Sequence, residues 1–447
     1  MLICDSFHNL SGRKADKLCL VNGETRLTYR EFNEQVNRLA ARLAACLRKG
    51  DRVLLKLIDP VKQLLYFSAI IKAGGICILV DHAASPEVCA QIVSEQNVAF
   101  TVDDQFVPPS WTADLPWLEP ADYFLGALSS GSTGLPKLIW RNHQSWVSAF
   151  ASQSRVFGIS STDTLYLAGS LAYTANLNAC LHAFFEGGTV VLAGSLMPRT
   201  WLKEIQEQQV TAIFMVPANY RILLKCLKEP LLEIRSVVSG GAKLDLTAAE
   251  DLLQAFPQAR IVEYYGASEL GHVSAITAEE LLKHPDSVGK AFPNVTIKIR
   301  DNTIWVRSPY LAPAYGPEAS VGDLGRTDQE GYLYIAGRKS GLINAGGIKV
   351  IPEQVEAVLR QCPGVADALV AGVDDPLRGQ KVCAWIVKHK EAQAAAADIL
   401  DFCRPKLRTH YCPQKIVFLD AIPLNVNGKP DKKLLSTKSL NDDGERI

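Results

Sequence analysis

The chain has 447 residues, long for one compact core, so two or more domains are expected. Hydrophobic residues make up 48% and charged residues 21%, a globular composition that excludes a disordered or fibrous chain. Lys plus Arg and Asp plus Glu each number 47, so no net charge draws the protein to nucleic acid or an anionic membrane, and small molecules or another protein are the expected partners.

The opening eighteen residues lack the basic start and apolar run of a secretory signal, and no stretch supplies the roughly 18 consecutive apolar residues of a membrane span. Eleven scattered cysteines contain no CxxC pair, which argues against a zinc ribbon or a redox pair and fits reduced thiols in a cytoplasmic protein. Residues 27–47 carry apolar positions at three- and four-residue spacing after Phe32, with Thr28 as N-cap, and predict an amphipathic helix. Strand-like residues 51–57, a helical stretch to Ala73 and strand-like residues 74–80 follow, and the same rhythm returns at 187–193, 212–217 and 236–241. Alternating strands and helices of this kind predict parallel α/β layers. Residues 326–338 read as a hairpin with its turn at Glu330 and Gly331, after which a smaller domain is expected; the Ala-rich residues 392–397 favour helix.

Residues 128–137 run Leu-Ser-Ser-Gly-Ser-Thr-Gly-Leu-Pro-Lys. Glycines let main-chain N–H groups approach an anion, hydroxyls add donors and the lysine adds charge, so Ser129, Ser130, Gly131, Ser132, Thr133, Gly134 and Lys137 form a candidate phosphate cradle. A P-loop kinase or ATPase would need Gly-Lys followed by Ser or Thr, and Lys137 is followed by Leu138.

This run resembles the signature of the adenylate-forming superfamily, which includes acyl-CoA synthetases, peptide-synthetase adenylation domains and luciferases, and further family motifs follow in order. Residues 236–242, with Gly240, Gly241 and Ala242, resemble the strand and turn that pack against adenine. Tyr264, Tyr265, Gly266, Ala267, Ser268 and Glu269 resemble the motif written YGxTE, with a serine hydroxyl for the α-phosphate and a carboxylate for magnesium. Asp323 matches the ribose-binding aspartate, and Arg338, fifteen residues on, the arginine that ties down the same nucleotide. Gly346, Gly347 and Lys349 lie in a segment resembling the one that admits a pantetheine arm, before a helix expected from Pro352. Residues 423–431 resemble the motif whose lysine, here Lys429, catalyses adenylation.

The resemblance implies an α/β fold: a large N-terminal domain of layered α/β subdomains (1–338) that binds ATP and the acyl group, and a small, mobile α+β C-terminal domain (339–447). It implies AMP-forming acid–thiol ligation, closest to acyl-CoA synthetases, with ATP, Mg2+ and coenzyme A, or a carrier protein's phosphopantetheine arm, as cofactors and partners. A non-catalytic nucleotide- or acyl-binding protein is the remaining alternative. Ser340 stands where the family hinge carries Asp or Lys. Amino-acid-activating relatives place an aspartate where this chain has Ala172, so an α-amino acid is disfavoured, since a buried ammonium without a partner is costly. Ala172, Tyr173, Val216 and Asn219, with Met215, Pro217 and Tyr264, are expected to wall a pocket for an aliphatic or aryl acid. His143 and His272 receive no role.

Overall fold

The computed structural model describes residues 1–447 except 6–11, 13, 130–136, 196, 346–347, 376–378, 390, 391, 393, 424–429, 431–434 and 436–447, and gives the main chain alone at 129, 340 and 379. Two compact units emerge: Met1–Lys298 with Trp305–Val321 and Gln329–Leu333, and Ile299–Ile304 with Gly322–Asp328 and Tyr334–Ile447. None of the described helices is long and apolar enough to cross a membrane.

In the first unit the expected amphipathic helix spans Tyr29–Ala44, after the paired strands Leu18–Asn22 and Thr25–Thr28. Thr28 Oγ1 accepts the Glu31 N–H at 3.2 Å and Glu31 Oε2 accepts the Thr28 N–H at 2.8 Å, a reciprocal cap that satisfies two otherwise orphaned donors. Its buried stripe of Tyr29, Phe32, Val36, Ala40 and Leu43 joins the main core. A five-stranded sheet follows in the order Val98–Val102, Arg52–Leu55, Ile76–Leu79, Tyr123–Ser129 and Lys137–Asn142; the last two are antiparallel, with Ser129 opposite Lys137.

The centre of the unit is a nine-stranded sheet in which Thr164–Leu167, Ala212–Met215, Ser236–Gly240 and Arg260–Ala267 lie side by side and parallel. Ala212–Met215 and Ser236–Gly240 are buried at every position, which is why neither alternates apolar with charged residues: the first is wholly apolar and the second joins valines to small serines and a glycine. Beyond them Gly271–Thr277 turns back antiparallel to Arg260–Ala267, so the sheet is mixed at its edge although the sequence rhythm predicted parallel layers. Helix Pro217–Cys226 locks two of the parallel strands together: the fully buried Tyr220 hydroxyl sits 2.9 Å from the carbonyl oxygens of Ile213 and Val238.

In the second unit, Ile348–Val350, Ile343–Ala345, Gly379–Lys388 and Val365–Asp375 form a sheet, and Lys415–Leu419 pairs parallel to Gly379–Lys388. Helix Pro352–Leu359 starts at the expected proline, whereas the Ala-rich segment becomes helical only at Ala396, in Ala396–Cys403. Val355, Leu359, Ile399 and Leu400 pack from these helices on Val370, Val382, Ala384 and Ile386, a core belonging to this unit alone.

Three buried histidines of the first unit serve packing. His143 Nδ1 accepts the Ile3 N–H at 3.2 Å while its ring stacks on Phe124; His182 Nε2 lies 2.9 Å from Ser154 Oγ; His272 packs between Tyr264 and Phe292. Burial pushes His143 down to about 4, against the opposing charges of Asp122 and Asp5, and pushes His182 and His272 down to about 3.

Replacing Tyr220 with Phe removes the one buried O–H shared by these two carbonyls, so Tyr220→Phe should lower unfolding free energy by about 1–2 kcal/mol in urea titration, with the fold retained. The histidines make a second prediction. Their folded forms stay neutral where the unfolded chain, titrating near 6.5, takes up protons, so their stabilisation is complete above about pH 6.5 and is lost as pH falls toward 4. His182→Gln should therefore flatten the decline of stability between about pH 6 and 4 by up to about 1.4 kcal/mol per pH unit, read from melts across that range.

Candidate active site

The four parallel strands of the central sheet end next to one another, and in open α/β sheets ligands bind beyond such carboxyl ends. Residues singled out in the sequence collect there. Val216 follows Ala212–Met215 as the N-cap of Pro217–Cys226, and Tyr173 is the N-cap of Thr174–Glu186. Gly240 ends its strand with the Tyr264 ring so close that a Cβ would lie 2.6 Å from ring carbon Cε1. Gly241 adopts φ +84°, a backbone region that favours glycine, and a Cβ there would run into the Tyr173 hydroxyl, with Val216 Cγ1 3.7 Å away. Tyr173, Val216, Gly240, Gly241 and Tyr264 thus form one wall, and burial raises the Tyr173 hydroxyl above its usual pKa. Ala242 is exposed, Ala172 and Asn219 are half-buried, and Met215 and Pro217 are buried. Asn219 donates its main-chain N–H to Val216 O at 3.0 Å.

Strand Arg260–Ala267 continues into the acidic end of the site. Its pairing with Gly271–Thr277 shifts register between Tyr265 and Gly266, a bulge that brings Gly266 against the Gly271 carbonyl, where no side chain fits. Ser268 Oγ lies 3.5 Å from Thr174 Oγ1, placing two hydroxyls at the start of helix Thr174–Glu186. Glu269 is half-buried, and its main-chain oxygen accepts the Ala312 N–H at 2.9 Å. Lys137 donates to the Tyr315 hydroxyl at 2.8 Å, and this bond, helped by the Glu269 charge, raises its pKa.

Sequence reasoning missed Arg141. Its Nη1 donates to Ser268 O at 2.8 Å, and its Nη2 to Tyr310 O at 2.7 Å and Ser145 O at 3.1 Å. Burial pulls this guanidinium down to about 9, partly offset by Glu269, so it remains a cation at neutral pH. The available signal was phase: in Lys137–Asn142 the buried positions are Ile139 and Arg141, and a charge in an inward phase needs a partner. Thr174, Ala312 and Tyr315 gave no comparable signal.

In the second unit Asp323, 5% exposed, accepts from Arg338 Nε at 2.6 Å through Oδ1, so two residues fifteen apart in sequence meet as an ion pair. Lys349 is exposed on Ile348–Val350, in a hairpin with Ile343–Ala345, and its carbonyl accepts the Tyr411 hydroxyl at 3.1 Å. Ser340 lies in the 3-10 turn Lys339–Gly341. Ser130, Gly131, Ser132, Thr133, Gly134, Gly346, Gly347 and Lys429 lie outside the described residues, as does the Ser129 side chain.

No group of three or more His, Cys, Asp or Glu able to hold a metal occurs among the described residues. Mg2+ taken up with a nucleotide needs no such cluster, because it is commonly bound by one or two carboxylates plus substrate phosphates, and a lone carboxylate such as that of Glu269 is chemically compatible with it.

Residues 7–115 and 103–316 match the AMP-binding enzyme family, and residues 354–429 match the AMP-binding enzyme C-terminal domain. The uncharacterized acyl-CoA ligase YhfT of Bacillus subtilis is 28% identical over 467 residues, 96% of each chain. Triostin synthetase I of Streptomyces triostinicus is 29% identical over 495 residues, covering 96% of this chain and 93% of that one. In fold, the chain is similar to o-succinylbenzoate CoA synthetase (MenE) from Bacillus subtilis, solved with its acyl-adenylate intermediate, with a TM-score of 0.85 at 23% identity and 99% coverage of both chains. The family matches take in the strand ends, the Ser268–Glu269 turn and most of the second unit, and the chain belongs to the AMP-binding enzymes.

Proposed function

We propose that this enzyme joins a carboxylic acid to AMP at the expense of ATP, releasing pyrophosphate, and then passes the acyl group to the thiol of coenzyme A with release of AMP. The observation that carries this reading is the convergence at the strand ends: the Gly240–Gly241 turn against Tyr264 and Tyr173, with the Ser268 hydroxyl and the Glu269 carboxylate on the continuing chain.

The chemical difficulty of the first step is that two anions must meet. The acid's carboxylate oxygen forms a bond to the α-phosphorus as the bond to the bridging pyrophosphate oxygen breaks, and negative charge is carried through on phosphoryl oxygens. Lys429 supplies an ammonium for that charge, and Lys137 a second cation beside the Ser/Thr/Gly run. Ser268 offers a hydroxyl donor to the α-phosphate. Magnesium, when bound at Glu269, neutralises charge on the phosphates. Asp323 accepts from the ribose hydroxyls with Arg338 holding its carboxylate in place, and the Gly240–Gly241 turn, packed against Tyr264 and Tyr173, forms the wall against which adenine lies. In the second step the thiol sulfur bonds to the acyl carbon and the acyl–phosphate C–O bond breaks; the Gly346–Gly347 segment admits the pantetheine arm close to the main chain, with Ser340 as the hinge.

Ala172, Tyr173, Val216 and Asn219 bring no carboxylate to the pocket, which favours an aliphatic or aryl acid over an α-amino acid. A carrier protein's phosphopantetheine arm presents the same thiol as coenzyme A, and the acceptor follows from the second half-reaction.

Acid-dependent exchange of labelled pyrophosphate into ATP, run over a panel of fatty, aryl and amino acids, tests the first half-reaction, and thioester formation with coenzyme A or a loaded carrier tests the second. Lys429→Ala should lower exchange by about 100-fold or more while transfer from a supplied acyl-adenylate is largely kept. Equal loss of both steps would overturn the assignment of Lys429 to adenylation. Glu269→Gln should raise the Mg2+ concentration at half-maximal exchange by about tenfold or more, and an unchanged Mg2+ dependence would remove Glu269 from the metal site.

A further inference from the structure

Arg141 is 2% exposed, and its hydrogen-bond acceptors among the described residues are main-chain carbonyls, at Ser145, Ser268 and Tyr310. Among the described residues its Nε has no partner. A buried cation held by neutral oxygens, with three of its five N–H groups bonded to them, is an expensive arrangement, since packing alone is served better by an apolar side chain of similar volume. What the guanidinium gains is position. It grips the carbonyl of Ser268, while the next carbonyl, that of Glu269, is held by the Ala312 N–H at 2.9 Å. Both peptide planes that flank the Glu269 Cα are therefore pinned, which fixes the direction in which its side chain leaves the backbone.

The other two contacts anchor the grip. Ser145 lies in the first turn of helix His143–Phe157. Tyr310, fully buried, is held in turn by its hydroxyl to Pro293 O at 2.6 Å and to Ser152 Oγ at 3.0 Å. The segment carrying Ala312 is thus tied to the same guanidinium two residues earlier. Moreover, the Glu269 charge reaches Arg141 and supports its protonated form.

We infer that Arg141 is a positioning residue for the metal step: through the Ser268 carbonyl it sets the Glu269 carboxylate in the direction from which it meets Mg2+·ATP. The inference rests on the reading of Glu269 as the magnesium carboxylate. It assigns a buried residue that acts through the main chain a role in metal affinity.

The full chain carrying Arg141→Met, with Arg141→Lys beside it, tests this by pyrophosphate exchange at saturating ATP over a range of Mg2+, together with the KM for the acid and a thermal melt. Arg141→Met should raise the half-saturating Mg2+ concentration by about tenfold or more while the acid KM moves less than about twofold, and Arg141→Lys, which keeps a cation and part of the bonding, should fall between. An Mg2+ dependence unchanged in both variants, or a parallel rise in the acid KM, would overturn the proposal; so would failure of both to fold, which would make Arg141 structural. Glu269→Gln run alongside separates the two readings. If it shifts the Mg2+ dependence and Arg141→Met does not, the positioning role alone fails; if neither shifts it, the metal assignment of Glu269 fails first.

Discussion

Parallel register is the constraint on which the rest of the first unit depends. Once Thr164–Leu167, Ala212–Met215, Ser236–Gly240 and Arg260–Ala267 are hydrogen-bonded side by side, their ends are separated only by interstrand spacing, and whatever follows each strand is delivered to one place. Tyr173, Val216, Gly241 and Tyr264 are far apart in sequence and meet because the ladders leave no other arrangement. The glycines at that edge follow from the same crowding, since Tyr264 and Tyr173 already fill the space a Cβ would need.

The second theme is how charge is handled in a protein of zero net charge. Glu263 is buried and paired with Lys243 at 2.7 Å; burial raises its pKa and the lysine works against the rise. Asp323 has Arg338, and Arg141 has three carbonyls. Each buried charge is answered within its own unit. Glu269, half-buried, lies close enough to two cations, Lys137 and Arg141, to influence both.

Much of this was legible in the sequence, for identifiable reasons. The capped helix at Thr28, the strand at 212–215 and the helix at Pro352 each announce themselves through local chemistry: a hydroxyl three residues before a glutamate, an unbroken apolar run, a proline at a first turn. The nucleotide motifs were readable because glycine, hydroxyl and charge recur in a family order. What local chemistry does not encode is pairing across distance. The antiparallel return of Gly271–Thr277, the meeting of Asp323 with Arg338 and the convergence of Ser268, Tyr310 and Ser145 on Arg141 all depend on which segments become neighbours. The late start of Ala396–Cys403 shows the same limit in reverse, since alanine favours helix wherever it stands and Ala395, with Asp398 three residues on, is where a cap forms.

The second unit draws on three separate stretches, Ile299–Ile304, Gly322–Asp328 and Tyr334–Ile447, and among its internal pairings is Thr303 opposite Leu324. No single cut therefore releases it. A recombinant fragment begun at residue 339 would leave Asp323 and Arg338 behind on the other piece, and a swap of C-terminal segments between relatives would exchange the paired strands Ile343–Ala345 and Ile348–Val350 while keeping the host's aspartate–arginine pair. Engineering by modular exchange thus has a natural seam in the primary structure that is not the seam in the folded protein.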